Sequence, residues 1–220
     1  MKILVVVAHP DDEIIGCGGT IARHIKAGDS VYVCIIAEGC SARYADENMQ
    51  LYNIQKLEEE KKKRTEGAKK AAKILGIKNV YLHDLPNQRL DTVPILTINK
   101  IIEKHVNKIK PDIVYTHTFH DTNKDHRIVY ESTYIASRRV KQLRTFETIY
   151  STTDDFKPNL FIDIYDVYDL KQKALKCYAG EIQIHSNVRT YQGIRAMSMA
   201  RAANINMKKV EAFEIIRAIE

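Results

Sequence analysis

The sequence predicts an α/β protein: a Rossmann-like parallel sheet with helices on both faces and a modified C-terminal part. Three observations carry this reading. Residues 2–8 are a continuous apolar run rich in β-branched side chains, as expected of a strand buried on both faces. Strand-like and helix-like segments then alternate for the first two-thirds of the chain, the pattern of right-handed βαβ units. After Thr145 the pattern changes.

In chain order, the strand at 2–8 leads into a helix over 13–26, which stops at Gly28. A second strand covers 31–37, followed by a polar loop over 38–48 that contains Gly39. A long charged helix over 50–75 ends at Gly76. A short third strand spans 79–82. Pro94 sits in the first turn of a helix over 94–109. The fourth strand is 112–116, then a loop over 117–124 and a helix over 125–140. Beyond Thr145, 147–151 and 160–164 read as strands, 167–178 and 189–203 as helices, and 209–216 as a terminal strand or helix. No repeat, low-complexity tract or linker interrupts the chain. It reads as one domain over 1–220, with a core over 1–145 that the extension over 146–220 completes.

A chain of 220 residues with 45% hydrophobic and 28% charged residues has a globular composition and can bury a core without staples. Cys17, Cys34, Cys40 and Cys177 form no C-x-x-C pair and read as reduced thiols of a cytoplasmic protein. The apolar start is short and runs straight into His9-Pro10-Asp11-Asp12-Glu13, unlike a signal peptide. No stretch reaches the roughly 20 apolar residues of a membrane span. The net charge is +6, and Lys61-Lys62-Lys63-Arg64 supplies part of it. That run is either a solvated helix face or a device that steers a phosphorylated or nucleotide-linked substrate. No nucleic-acid motif accompanies it, so no nucleic-acid partner is expected. A homo-oligomer is left open.

The informative segment is 8–13. It follows the first strand, where open α/β folds bind ligands. His9 and Asp12 lie three apart across a turn shaped by Pro10, which can bring them to one point, with Asp11 aimed elsewhere in the same cleft. Helix capping gives acidic side chains roughly 0.3–1 kcal/mol each. It accounts for one or two acids, but not for the histidine or the adjacent aspartates. Gly16-Cys17-Gly18-Gly19 has the wrong spacing for a dinucleotide fingerprint, and the carboxylates would repel a pyrophosphate. These glycines instead let the helix pack closely on neighbouring backbone.

The second cluster is 116–127, after the fourth strand. With strand order 3-2-1-4-5, both clusters face one crevice. A metal would be held by His9, Asp12 and one histidine of this loop. His126, beside Asp125 at a helix start, is favoured; His117 and His120 are supporting or substrate-contacting residues. Two histidines, a carboxylate and an open position describe a catalytic zinc site. A neighbouring carboxylate that is not a ligand can take a proton from water, and Asp11 is placed for that. The same ligands suit a non-haem iron oxygenase, but the extra acid favours hydrolysis. A non-catalytic metal- or sugar-binding protein is the third reading.

These residues resemble the PIG-L/LmbE-like deacetylases. Ala8-His9-Pro10-Asp11-Asp12-Glu13 matches the first family motif, Asp125-His126-Arg127 the second, and Glu211-Ala212-Phe213 the closing motif. The resemblance implies zinc on His9, Asp12 and His126, with Fe2+ or another divalent metal as alternatives. It makes Asp11 the general base and has Asp125 orient a neighbouring group. It also implies an N-acetylglucosamine derivative as substrate, whether free, glycosidic, lipid-linked or nucleotide-linked. Many relatives carry histidine at the position of Asn123, where it helps stabilise an oxyanion; asparagine can donate a hydrogen bond there but cannot act as an acid. His185 is a further candidate acid or oxyanion donor. Arg64 matches a substrate-contacting arginine, although the acid that usually follows three residues later is Gly67 here. Arg43 is a similar candidate. Specificity is expected in the loops at 38–48, 84–94 and 150–158 and in the C-terminal part.

Overall fold

The computed structural model describes residues 1–44, 51–182 and 189–219. Strand β1 (Lys2–Val7) leads into helix α1 (Asp12–Lys26), and β2 (Ser30–Ala37) precedes α2 (Leu51–Leu75). Then come β3 (Asn79–Leu85), α3 (Ile95–Ile109), β4 (Ile113–His117), α4 (Lys124–Ala136) and β5 (Gln142–Phe146). The chain closes with β6 (Leu160–Asp163), α5 (Tyr168–Leu175), α6 (Tyr191–Ala203) and β7 (Val210–Ala218). The sheet order is β3-β2-β1-β4-β5-β7-β6, so the expected 3-2-1-4-5 core is present. Its strands are parallel; β7 runs antiparallel between β5 and β6.

The alternation of side chains along a strand explains the apolar run in β1. Ile3, Val5 and Val7 enter one core with residues of α1, α2 and α5. Leu4, Val6 and Ala8 enter a second core with residues of α3 and α4. Both faces are covered from Ile3 onward, so the only polar residue of the strand is the exposed Lys2 at its start.

Four expectations are corrected. The fifth strand is Gln142–Phe146, not 147–151. Gln142 and Arg144 interrupt its apolar signal, and Arg144 donates to the Tyr115 hydroxyl at 2.8 Å. β3 runs on to Leu85, through the polar pair His83-Asp84. Finally, α1 approaches side chains, not neighbouring backbone: a Cβ at Gly16 would meet the Phe146 ring at 2.2 Å, and one at Gly19 would meet Ile164 at 2.6 Å. α4 also ends early, at Ala136. The terminal segment, open between strand and helix, is the strand β7.

α1 is broken at Cys17 (φ −142, ψ 23), which frees backbone groups that an unbroken helix would pair. Glu211 of β7 accepts from the Gly19 and Thr20 amides at 2.8 and 2.7 Å. Lys171 of α5 donates to the Ile15 carbonyl at 2.8 Å and to Glu211 at 2.7 Å. The closing motif thus anchors the C-terminal part onto the first helix. No described helix is long and apolar enough to cross a membrane, and all four cysteines are free.

Candidate metal centre and cleft

The parallel strands β1 and β4 are neighbours, so the segments after their carboxyl ends meet. His9, Asp12 and His126, all buried, bring one ligand atom each within 4.8 Å of one another. The other ring nitrogen of each histidine is already engaged. His9 Nε2 donates to Asp125 Oδ2 at 2.9 Å, which leaves Nδ1 bare, 3.2 Å from Asp12 Oδ2. Asp125 is itself fixed by the amides of Gln88 and Leu90 at 2.7 and 3.1 Å. His126 Nδ1 donates to Asp121 Oδ2 at 2.9 Å, leaving Nε2 3.4 Å from Asp12 Oδ2. His126 Nε2 and Asp12 Oδ1 are buried with no hydrogen-bond partner. Buried polar atoms are rarely left unmade. An unpartnered His126 Nε2 beside Asp12, together with two histidines whose other ring nitrogens are each held by a carboxylate, fits a divalent metal and its supporting shell.

The electrostatics agree with the geometry. Burial alone would raise Asp12, but His126 and the other two histidines hold its carboxyl well below the usual range. Burial alone would lower His126; Asp12 and Asp121 overcome it and raise the ring to about 10.

Asp11 precedes α1 with φ at +111°, a left-handed backbone that costs a non-glycine residue about 1–3 kcal/mol. Its Oδ2 pairs with Arg189, and its Oδ1 is buried without a partner. Burial raises its carboxyl to about 6, against the opposing pull of Arg189. Glu13 points the other way: its oxygens accept from the Asp11 amide at 3.0 Å and the Tyr178 hydroxyl at 2.6 Å.

A cleft opens above the centre, lined in part by His9, Arg43, Arg64, Asn123, Tyr150 and Arg189. Glu181 links two of these arginines: Arg43 donates to it at 3.0 Å, and Arg64 pairs with its other oxygen. Gly39, at φ +85°, lets Arg64 lie against the backbone; a Cβ there would meet its guanidinium at 2.6 Å. Asn123 caps α4 by accepting from the Asp125 amide at 3.0 Å, so only its amide NH2 is left for the cleft. A roomier groove of about 550 Å³ lies between Asp91 and Glu131; among the described residues, none of its lining side chains carries a buried polar atom without a partner.

His117 differs from the expectation of a substrate contact. It is fully buried, accepts from the Ala8 amide at 3.0 Å and stacks on His126 at 3.9 Å. Burial and the neighbouring His126 push it down to about 4, so it is a neutral prop beneath the centre. His120 is half-buried and is not among the residues lining the cleft. His185 lies outside the described residues. Asp121, Glu181, Arg189 and Tyr150 acquire their places only in three dimensions. Asp121 had a sequence signal, as an acid five residues before His126, and Tyr150 opens the 150–158 loop where specificity is expected.

The family described as PIG-L, GlcNAc-PI de-N-acetylase, matches residues 4–137, a span that contains both halves of this centre. The chain belongs to the PIG-L family. Among its relatives is the uncharacterized deacetylase YaiS of Escherichia coli K12, 29% identical over 79% of this chain and 88% of that protein. Another is the 4-oxalmesaconate hydratase of Pseudomonas putida KT2440, 26% identical over 88% of this chain and 80% of that protein. The fold is also that of the N,N'-diacetylchitobiose deacetylase of Pyrococcus horikoshii, with TM-score 0.74, 22% identity, and 98% and 83% coverage of the two chains. The PIG-L match accounts for the segments 8–13 and 125–127. The residues that line the cleft beyond 137, Tyr150 and Arg189, lie outside the matched span.

Proposed function

We propose that this PIG-L protein is a zinc-dependent hydrolase that removes the acetyl group from the nitrogen of an N-acetylated amino sugar. The observation that carries the reading is the convergence of His9, Asp12 and His126 beside a separate buried carboxylate, Asp11. His9, Asp12 and His126 would hold the metal. Bound there, zinc lowers the pKa of water to about 7 and polarises a carbonyl oxygen.

The chain's own residues supply the rest. Asp125 and Asp121 fix the two imidazoles, which leaves Nδ1 of His9 and Nε2 of His126 as the nitrogens that would hold a metal. Asp11 accepts the proton of the attacking water on its unpartnered Oδ1, and Arg189 holds the other oxygen in place. The Asn123 amide donates to the oxyanion of the acetamide. Asp11 then returns its proton to the leaving nitrogen, since Asn123 cannot serve as an acid. Arg43 and Arg64 orient the sugar at the rim. Deacetylases among the relatives and neighbours support this assignment.

The test is release of primary amine from a panel of free, disaccharide, phosphorylated and nucleotide-linked N-acetylhexosamines, with zinc and with chelator. Chelator-sensitive release from any of them supports the reading. A second reading, metal-dependent addition of water to a carboxylated substrate, is favoured by the hydratase relative and by three arginines at the cleft. Turnover of 4-oxalmesaconate with no amine release from the panel would select it.

A further inference from the structure

A second cluster of metal-ligating side chains lies away from the cleft, on the α3 side of the sheet. Cys34 of β2, His83 of β3 and His105 of α3 place one sulfur and two ring nitrogens within 4.8 Å of one another. Cys34 and His105 are buried, and His83 is half-buried. The Nε2 atoms of the two histidines are 3.0 Å apart. Two nitrogens bound tetrahedrally to zinc at 2.0–2.1 Å would stand about 3.3 Å apart, so the pair is within a few tenths of an ångström of a ligating arrangement.

The rings are held in place by packing. His105 lies against Tyr81, centroids 4.1 Å apart, and against His83 at 5.2 Å. Both rings are in the neutral form that binds metals. Burial lowers His105 to about 4, helped by His83, Lys104 and Lys108, and burial and Lys104 lower His83. The two lysines make the surroundings unfavourable for a bare dication, and burial pushes the Cys34 thiol up; the sulfur–metal bond offsets both, since a coordinating thiol is deprotonated outright. A sulfur with two imidazoles selects zinc, cobalt or copper over magnesium and calcium.

We propose that Cys34, His83 and His105 form a second, three-ligand site for a thiophilic transition-metal ion of the zinc class, entered past His83. On binding, the Cys34 thiol loses its proton to solvent as the sulfur–metal bond forms. Each histidine contributes its Nε2 lone pair, and the ring that carried the Nε2 proton takes the Nδ1–H tautomer. No redox change is involved.

The first metal centre contains no sulfur, so a thiolate signal separates the two. In the full chain titrated with Co2+, a thiolate-to-cobalt charge-transfer band is expected in the near ultraviolet. It should persist in His126→Ala, and be lost in Cys34→Ser and in His83→Ala. Zinc analysis after gel filtration should find one fewer zinc per chain in the last two. His83→Ala changes a half-buried edge residue, so it keeps the test usable if Cys34→Ser does not fold. Absence of the band in folded wild-type protein would overturn the site and leave a hydrogen-bonded histidine pair only. Its survival in folded Cys34→Ser would assign the signal to another cysteine and overturn the site equally.

Discussion

Lys171 Nζ lies 2.7 Å from Glu211 Oε1, with both side chains buried inside the break in α1. The pair joins α5 and β7 to the helix that carries Asp12, and each member also satisfies backbone groups that the break exposes. Removing one partner of a buried pair leaves an uncompensated charge. Lys171→Met should therefore destabilise the protein by about 3–5 kcal/mol, read as a lower midpoint in urea denaturation.

Asp11 is the proposed base, and its carboxylate is not a member of the metal-ligating group. Asp11→Asn should cut deacetylation by roughly 10²–10⁴ while zinc content per chain stays unchanged. Near-normal turnover in that variant would assign the base elsewhere.

Asp121 and Asp125 act through the histidines they hold. Asp121→Asn should weaken zinc affinity about 10–100-fold, measured by competition with a chromophoric chelator. An unchanged affinity would show that packing against His117 alone fixes His126.

Glu13 is buried, and burial raises its carboxyl to about 8 from an ordinary 4.5. The unfolded chain ionises this group first, so stability is fully present below about 4.5 and is lost as pH rises towards 8. Glu13→Gln keeps the shape and cannot ionise. The stability advantage of wild type over this variant should shrink by a few kcal/mol between pH 5 and 8 in parallel denaturation curves. A pH-independent difference would mean that Glu13 stays charged in the folded protein.

Gly16 packs against the Phe146 ring, from which a Cβ would stand 2.2 Å away. Gly16→Ala should cost about 1–3 kcal/mol through overpacking, visible as a lower Tm. Gly16→Ala combined with Phe146→Leu should recover part of the loss.

The sequence by itself determined the parallel core and the heart of the candidate centre. β1 could be read because both faces are buried, which leaves an apolar run with no polar interruption. His9, Asp12 and His126 could be read because each follows a strand end or opens a helix, where local spacing decides side-chain direction. What only the tertiary structure decided depends on contacts across long chain separations. β5 and the second half of β3 carry polar residues whose partners are remote, such as Arg144 on Tyr115. Arg189 reaches Asp11 from 178 residues away. His117, chemically the equal of His126, became a buried prop because its Nε2 is taken by the amide of Ala8, 109 residues away. Residue type and spacing determine what a side chain can do, and packing determines which of its atoms remain free to do it.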